Sequence, residues 1–181
     1  MLAHSVKVPT ASTSSNCFVY GTLMSSEVLR TLIGRVPQME CPAFLPPSFS
    51  RHPVRGQVYP GVISTLDCSQ VPSKSWDEIQ ATCVKGILLT DLSSTEMKVF
   101  DWFEDVDVDY YRSILPVFLN SSEGVETLDA NVYVWARTET LLDLELDWSY
   151  DKFRRQKLEW YLQSTVGPCR EEIDRLGLES I

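Results

Sequence analysis

Along this chain the spacing of apolar and polar residues changes repeatedly, and each change marks a predicted element. Cys17-Phe18-Val19-Tyr20 is an unbroken apolar run, read as a short buried strand that ends at Gly21. Ser25-Ser26-Glu27 can cap a helix to about Ile33, with Val28, Leu29, Leu32 and Ile33 on one face and Gly34 as the stop. Residues 39–65 are Pro-rich. Short β pieces are predicted at Cys41–Leu45, Ser48–Arg51 and Gln57–Tyr59, confined to edges and turns by Pro42, Pro46, Pro47, Pro53 and Pro60. Asp67 to Trp76 reads as a loop, followed by a short helical piece. A loop of that length in a compact domain is functional or mobile. Val84–Leu89 reads as a strand, and Asp91-Leu92-Ser93-Ser94 opens a helix with Met97, Val99, Phe100 and Phe103 on its apolar face. Two further strands, Tyr110–Leu119 and Asp129–Ala136, are joined by a turn at 120–124. Ala130, Val132, Val134 and Ala136 share one face of the second. Tyr150 to about Leu176 carries the longest helical stripe, through Phe153, Leu158, Tyr161, Leu162 and Ile173, with Gly177 after it. This order of elements predicts an α+β domain with a mixed or mostly antiparallel sheet. Residues 1–15, Ser/Thr-rich and without acids, read as a disordered tail, and 16–178 as a single domain.

Composition narrows the possible functions. The 181 residues carry a net charge of −9, which argues against a nucleic-acid partner, because phosphate binding needs clustered Lys and Arg. The first 60 residues run the other way, with five Lys/Arg against two Asp/Glu, which suits an anion-binding turn in that part. Cys17, Cys41, Cys68, Cys83 and Cys169 are odd in number, and no two are spaced Cys-x-x-Cys, so they read as reduced thiols in a cytoplasmic protein. No apolar run approaches the roughly 18 residues of a membrane span. Only His4 and His52 are present, which leaves no basis for a zinc site or a His-centred triad. Nucleotide-binding Gly patterns are absent as well, so neither metal nor cofactor is expected.

Two stretches carry candidate chemistry. In Tyr20-Gly21-Thr22-Leu23 a strand gives way to a turn and then a helix. Gly lets a ligand approach the main chain, and N–H groups at a helix start favour an anion. The second stretch is Phe100-Asp101-Trp102-Phe103-Glu104. Glu104 follows an inward-facing Phe at a helix end, where desolvation and neighbouring acids would raise its pKa towards that of a general base. An exposed helix-end Glu is the competing reading. Asp101, one turn back, is a rival carboxylate. Asp105, Asp107 and Asp109 do not form a calcium loop, because Tyr110 and Pro116 stand where Gly and Glu would be required. They read as a solvated acidic loop.

Taken together in order, several stretches resemble the gamma-glutamylcyclotransferase-like superfamily, and among its members the plant AIG2-like (avirulence-induced gene) branch. The stretches are Phe18-Val19-Tyr20-Gly21-Thr22-Leu23-Met24, Gly56-Gln57-Val58-Tyr59-Pro60-Gly61-Val62-Ile63, Val84-Lys85-Gly86-Ile87-Leu88, the helix ending at Glu104, Tyr111-Arg112-Ser113, Val132-Tyr133-Val134-Trp135 and Trp148-Ser149-Tyr150-Asp151-Lys152-Phe153. The likeness runs over roughly residues 17–165. It implies a small β-barrel-like α+β fold with flanking helices and a long C-terminal helix. It also implies cyclisation of a γ-glutamyl group to 5-oxoproline, with release of an amine or amino acid. By the resemblance Glu104 is the base, and Tyr20, Gly21, Thr22 and Leu23 grip the γ-glutamyl moiety. Tyr111 either lines the pocket or packs. The implied partner is a small-molecule γ-glutamyl substrate, with no cofactor, no nucleic acid and no membrane, and the protein a monomer or weak dimer. The stretch from about Ser64 to Thr82 is longer than that branch leads one to expect, and could act as a lid or shape the leaving-group side. The competing functional reading is a catalytically silent AIG2-like protein that binds a small molecule or serves in defence.

Overall fold

A computed structural model describes residues 15–65 and 75–178. The strand predicted at Cys17 begins two residues earlier, as β1 (Ser15–Val19). The rest of the expected tail, and most of the expected loop before Trp76, lie outside the described residues. Helix α1 (Ser26–Ile33) starts where Ser25 Oγ accepts the Val28 N–H and ends at Gly34 with φ 74°, the left-handed conformation that glycine adopts without a Cβ clash. Strand β2 (Gln38–Phe44) follows, then a hairpin of β3 (Phe49–Pro53) and β4 (Pro60–Ser64). Helix α2 (Trp76–Thr82) and helix α3 (Ser94–Phe103) both open with Ser–Glu capping boxes, Ser75/Glu78 and Ser93/Glu96, and β5 (Lys85–Leu92) lies between them. Strands β6 (Tyr110–Ser121) and β7 (Gly124–Trp135) form the long hairpin.

Five strands close a barrel in the order β1-β5-β2-β6-β7. All the pairings are antiparallel except β7 against β1, which is parallel, so the sheet is mixed. Alternation along the strands divides the core in two. Phe18 of β1, Tyr20 just past its end, and Val132 and Val134 of β7 point into the barrel with Leu88, Val117 and Leu119. Cys17 and Val19, with Tyr133 and Trp135, point outward beneath the helices, against Leu29, Val99, Phe100 and Ile173. A smaller cluster of Phe44, Ile79 and Phe118 seats α2.

Three expectations need correction. The strand expected at Gln57–Tyr59 is instead a tethered turn. Gln57 N–H donates to the Val54 carbonyl, Val54 N–H to the Tyr59 carbonyl, and β4 starts only at Pro60. The strand expected from Asp129 begins at Gly124, because β6 and β7 are joined by just Ser122-Glu123 and the register runs unbroken from Tyr110↔Trp135 to Ser121↔Gly124. The single C-terminal helix is broken into α4 (Tyr150–Gln156), α5 (Leu158–Tyr161), a π turn at Leu162–Val166 and α6 (Gly167–Leu176). Pro168 supplies the reason for the π turn: it has no N–H, and its ring clashes with the carbonyl one turn back in a regular helix. Among the described residues no helix is long and apolar enough to cross a membrane.

Among the glycines, Gly86 of β5 leaves the least room for a side chain. A Cβ there would stand 2.4 Å from the Val19 carbonyl oxygen and 2.5 Å from the Phe18 ring. Gly86→Ala is therefore expected to cost about 3 kcal/mol, the upper part of the overpacking range. This would read out as a lowered urea midpoint with an unchanged m-value. A midpoint equal to that of the parent would contradict the packing described here.

Candidate active site

Where β1 ends, Tyr20 and Gly21 carry the chain off the barrel into a single 3₁₀ turn, Thr22–Met24. Met24 N–H donates to the Gly21 carbonyl and Ser25 N–H to the Thr22 carbonyl, both at 3.1 Å. The N–H groups that open such a turn have no acceptor within it. Gly21 packs tightly on β4, since a Cβ there would stand 3.0 Å from the Pro60 ring. Tyr20, buried, donates its hydroxyl hydrogen to the Tyr133 carbonyl at 2.5 Å. Thr22 Oγ1 lies 3.5 Å from the Tyr161 hydroxyl. From the other side Arg51 fixes the turn. Its guanidinium donates to the carbonyls of Tyr20 (3.0 Å) and Lys85 (3.1 Å), forks onto Asp147 at 2.9 and 3.1 Å, and stacks over Trp148 at 5.8 Å.

Glu104 is the C-cap of α3, one residue past its last turn, its N–H donating to the Phe100 carbonyl at 2.9 Å. Phe100 is buried beneath it. Beyond Glu104 the chain reverses at once. Asp105 (φ 49°) and Asp107 (φ 73°) take left-handed conformations that Asp tolerates better than most residues. The Asp105 carbonyl accepts from the N–H groups of Val108 and Asp109. The acids after Glu104 thus serve as turn formers, and Asp109 pairs with Arg137 at 3.1 Å.

The two stretches meet. A cleft with about 310 Å³ of empty space, its open mouth included, is lined by Phe18 to Leu23, by Tyr59 and Pro60, and by Glu104, Tyr110 and Tyr133. All four residues of Tyr20-Gly21-Thr22-Leu23 therefore share a cavity with Glu104. Glu104 keeps some surface at this opening. Its carboxyl is nevertheless deep enough among protein atoms that desolvation alone pushes its pKa up to about 8. No hydrogen bond or ion pair reaches that carboxyl from any described residue. The nearby arginines are engaged elsewhere: Arg112 with Asp101 at 3.2 Å, Arg51 with Asp147, and Arg137 with Asp109.

Asp101, the rival carboxylate, is committed to structure. It accepts from the Tyr133 hydroxyl at 2.9 Å, pairs with Arg112, and does not line the cleft. Tyr111 does not line it either. It is 46% exposed, and its neighbour Tyr110, on the opposite face of β6, points in and donates to the Pro60 carbonyl at 2.7 Å. Period-two alternation allows only one of the two adjacent tyrosines to face the cleft. Tyr59, Pro60, Tyr110 and Tyr133 were missed as site residues. Tyr59, Pro60 and Tyr133 do lie within stretches that carried the family resemblance, which was the available signal.

The chain matches the family model described as gamma-glutamyl cyclotransferase, AIG2-like, over residues 17–152. AIG2-like protein D of Arabidopsis thaliana is 34% identical over 153 residues, 84% of this chain and 88% of that protein. A Methanocaldococcus jannaschii protein with gamma-glutamylcyclotransferase in its name is 33% identical over 97 residues, 54% of this chain and 36% of that protein. In fold, an Arabidopsis thaliana protein solved in solution superposes with a TM-score of 0.55 at 20% identity, covering 83% of this chain and 87% of that one.

Burial of Glu104 has a measurable consequence in the absence of ligand. Its folded pKa lies above the ordinary 4.5, so between about 4.5 and 8 the native state holds a proton that the unfolded state has lost. This contribution therefore destabilises increasingly as pH rises through that window and is constant above it. Glu104→Gln removes the penalty. The variant is expected to melt close to the parent at pH 4.5 and above it at pH 8, as read by thermal denaturation at both pH values. A gap that does not widen with pH would show that the carboxyl is not desolvated.

Proposed function

The chain belongs to the AIG2-like gamma-glutamyl cyclotransferase family, and on that premise we propose that it cyclises a γ-glutamyl group to 5-oxoproline and releases an amine or amino acid. The observation that carries this reading is the unpaired, desolvated carboxyl of Glu104 in one cleft with the Tyr20–Leu23 turn. In this reaction the nucleophile belongs to the substrate, so no protein Ser or Cys has to attack.

Glu104 takes a proton from the substrate's α-ammonium. The freed amine attacks the γ-carbonyl, a C–N bond forms, and the carbonyl oxygen becomes an oxyanion. As the oxyanion collapses, the original C–N bond to the leaving group breaks. The leaving nitrogen receives that proton from Glu104, which returns to the carboxylate; the attacking nitrogen, positively charged once its bond has formed, gives up its second proton to the same carboxylate and through it to the departing amine, so that a neutral lactam and an ammonium result. A carboxyl with a pKa near 8 accepts a proton from an ammonium far better than an ordinary carboxylate does, and can return it to the leaving nitrogen. The turn after Gly21 supplies main-chain N–H groups for a carboxylate or the oxyanion, and the cleft holds the substrate folded back on itself.

The test is release of 5-oxoproline from a panel of γ-glutamyl amino acids, γ-glutamyl-ε-lysine and glutathione, by the parent and by Glu104→Gln. The variant is expected to lose at least about a hundredfold in turnover, the scale of a general base. For the parent, kcat/KM should rise with pH and level off above about 8, because the free enzyme must be ionised at Glu104. Equal turnover by parent and variant would remove Glu104 from the role of base. A parent silent on the whole panel would favour a binding protein that retains the cleft without turnover.

A further inference from the structure

The hydroxyls lining the cleft are not equivalent. Four tyrosines face it: Tyr20, Tyr59, Tyr110 and Tyr133. Three of them spend their hydroxyl hydrogen on the protein itself. Tyr20 donates to the Tyr133 carbonyl, Tyr110 to the Pro60 carbonyl, and Tyr133 to Asp101. Among the described residues the Tyr59 hydroxyl has no such partner.

The backbone around Tyr59 is, by contrast, tied at three successive carbonyls. Val58 O accepts from Trp148 Nε1 at 2.9 Å, Tyr59 O from the Val54 N–H at 3.2 Å, and Pro60 O from the Tyr110 hydroxyl at 2.7 Å. The residue is also half-buried. A phenol held this firmly at its base, with its polar tip uncommitted beside an ionisable carboxyl, is pre-organised to meet something that enters the cleft. Burial and the surrounding acids Asp109 and Glu104 push its pKa up, which keeps it a hydrogen-bond donor.

We propose that Tyr59 contacts the substrate, its hydroxyl donating a hydrogen bond to an oxygen of the bound γ-glutamyl group. This rests on the cyclotransferase reading above. It adds a specificity-determining donor on the β3–β4 hairpin, opposite the Tyr20–Leu23 turn, so that the substrate is held between two elements of the chain.

The test is Tyr59→Phe, measured in three ways. Melting temperature should be unchanged, because the hydroxyl satisfies no protein group. Tyr110→Phe, as a control, should melt lower, because it leaves the Pro60 carbonyl without its donor. Turnover of the best γ-glutamyl substrate should fall about tenfold to a hundredfold in kcat/KM, the scale of a lost hydrogen bond to a charged or developing acceptor. Binding of that substrate, or of the panel member that binds best, is measured by calorimetry in the non-cycling Glu104→Gln background with and without Tyr59→Phe. There the dissociation constant should rise if the contact is made in the ground state. If it is made only to the developing oxyanion, the loss should appear in kcat instead. A kcat/KM and a dissociation constant both within twofold of the parents would overturn the assignment of Tyr59 while leaving the cyclotransferase reading intact. If the parent does not turn over yet binds with the predicted dependence on Tyr59, the contact stands and the reaction fails. If no γ-glutamyl compound binds or reacts, both fall.

Discussion

Strand β1 is buried on both of its faces, and the geometry of the cleft depends on that. Phe18 and Tyr20 fill the barrel, while Cys17 and Val19 lie under the helices. A one-residue slip is already costly for a strand with one buried face, and here it would also exchange the two buried sets and send large rings where Cys17 and Val19 now fit. Gly86 tightens the constraint, because the Val19 carbonyl and the Phe18 ring press directly onto its Cα. With the register fixed, the point at which Tyr20 and Gly21 leave the sheet is fixed too. The Tyr20 hydroxyl meets the Tyr133 carbonyl because neither strand can move along its neighbour.

Electrostatically, the cleft is defined by what has been withheld from it. Three arginines lie in the surrounding shell, and each is matched to an aspartate: Arg51 to Asp147, Arg112 to Asp101, Arg137 to Asp109. Glu104 is left unmatched in a poorly solvated position. For stability alone, either a partner or a neutral residue would be better there. A carboxyl whose ionisation is costly, set at a cleft among well-compensated charges, is the trade-off expected where chemistry rather than folding sets the side chain.

Much of this was legible in the sequence, and the gaps have identifiable causes. The strand–turn at Tyr20–Leu23 and the helix end at Glu104 are local features, written in apolar runs, Gly and capping residues, and both emerged where expected. That they face one another is a property of barrel closure, to which local pattern is blind; only the family resemblance implied it. Tyr110 and Tyr111 show the limit most clearly. Adjacent identical side chains give no phase, and the choice between faces is settled by pairing with β7, where Tyr110 lies opposite Trp135. The C-terminal stripe was likewise read as one helix, because apolar period outvoted the single Pro168 that redirects its hydrogen bonds. The Pro-rich 39–65 segment misled in the other direction. Tyr59 looked like part of a strand, and its carbonyl instead closes the turn on which the cleft's far wall stands.

Arg51 links the cleft to chain segments that follow the barrel. The last barrel strand finishes at Trp135, yet Arg51 joins the Tyr20 carbonyl to Asp147 and Trp148, and Trp148 in turn holds the Val58 carbonyl. Strand closure and assembly of the cleft are therefore complete at different points along the chain. A sequence trimmed just past β7 would keep every strand of the barrel but lose the clasp between the two walls of the cleft. What ties the two walls of the cleft together thus extends as far along the chain as Trp148, past the edge of the sheet.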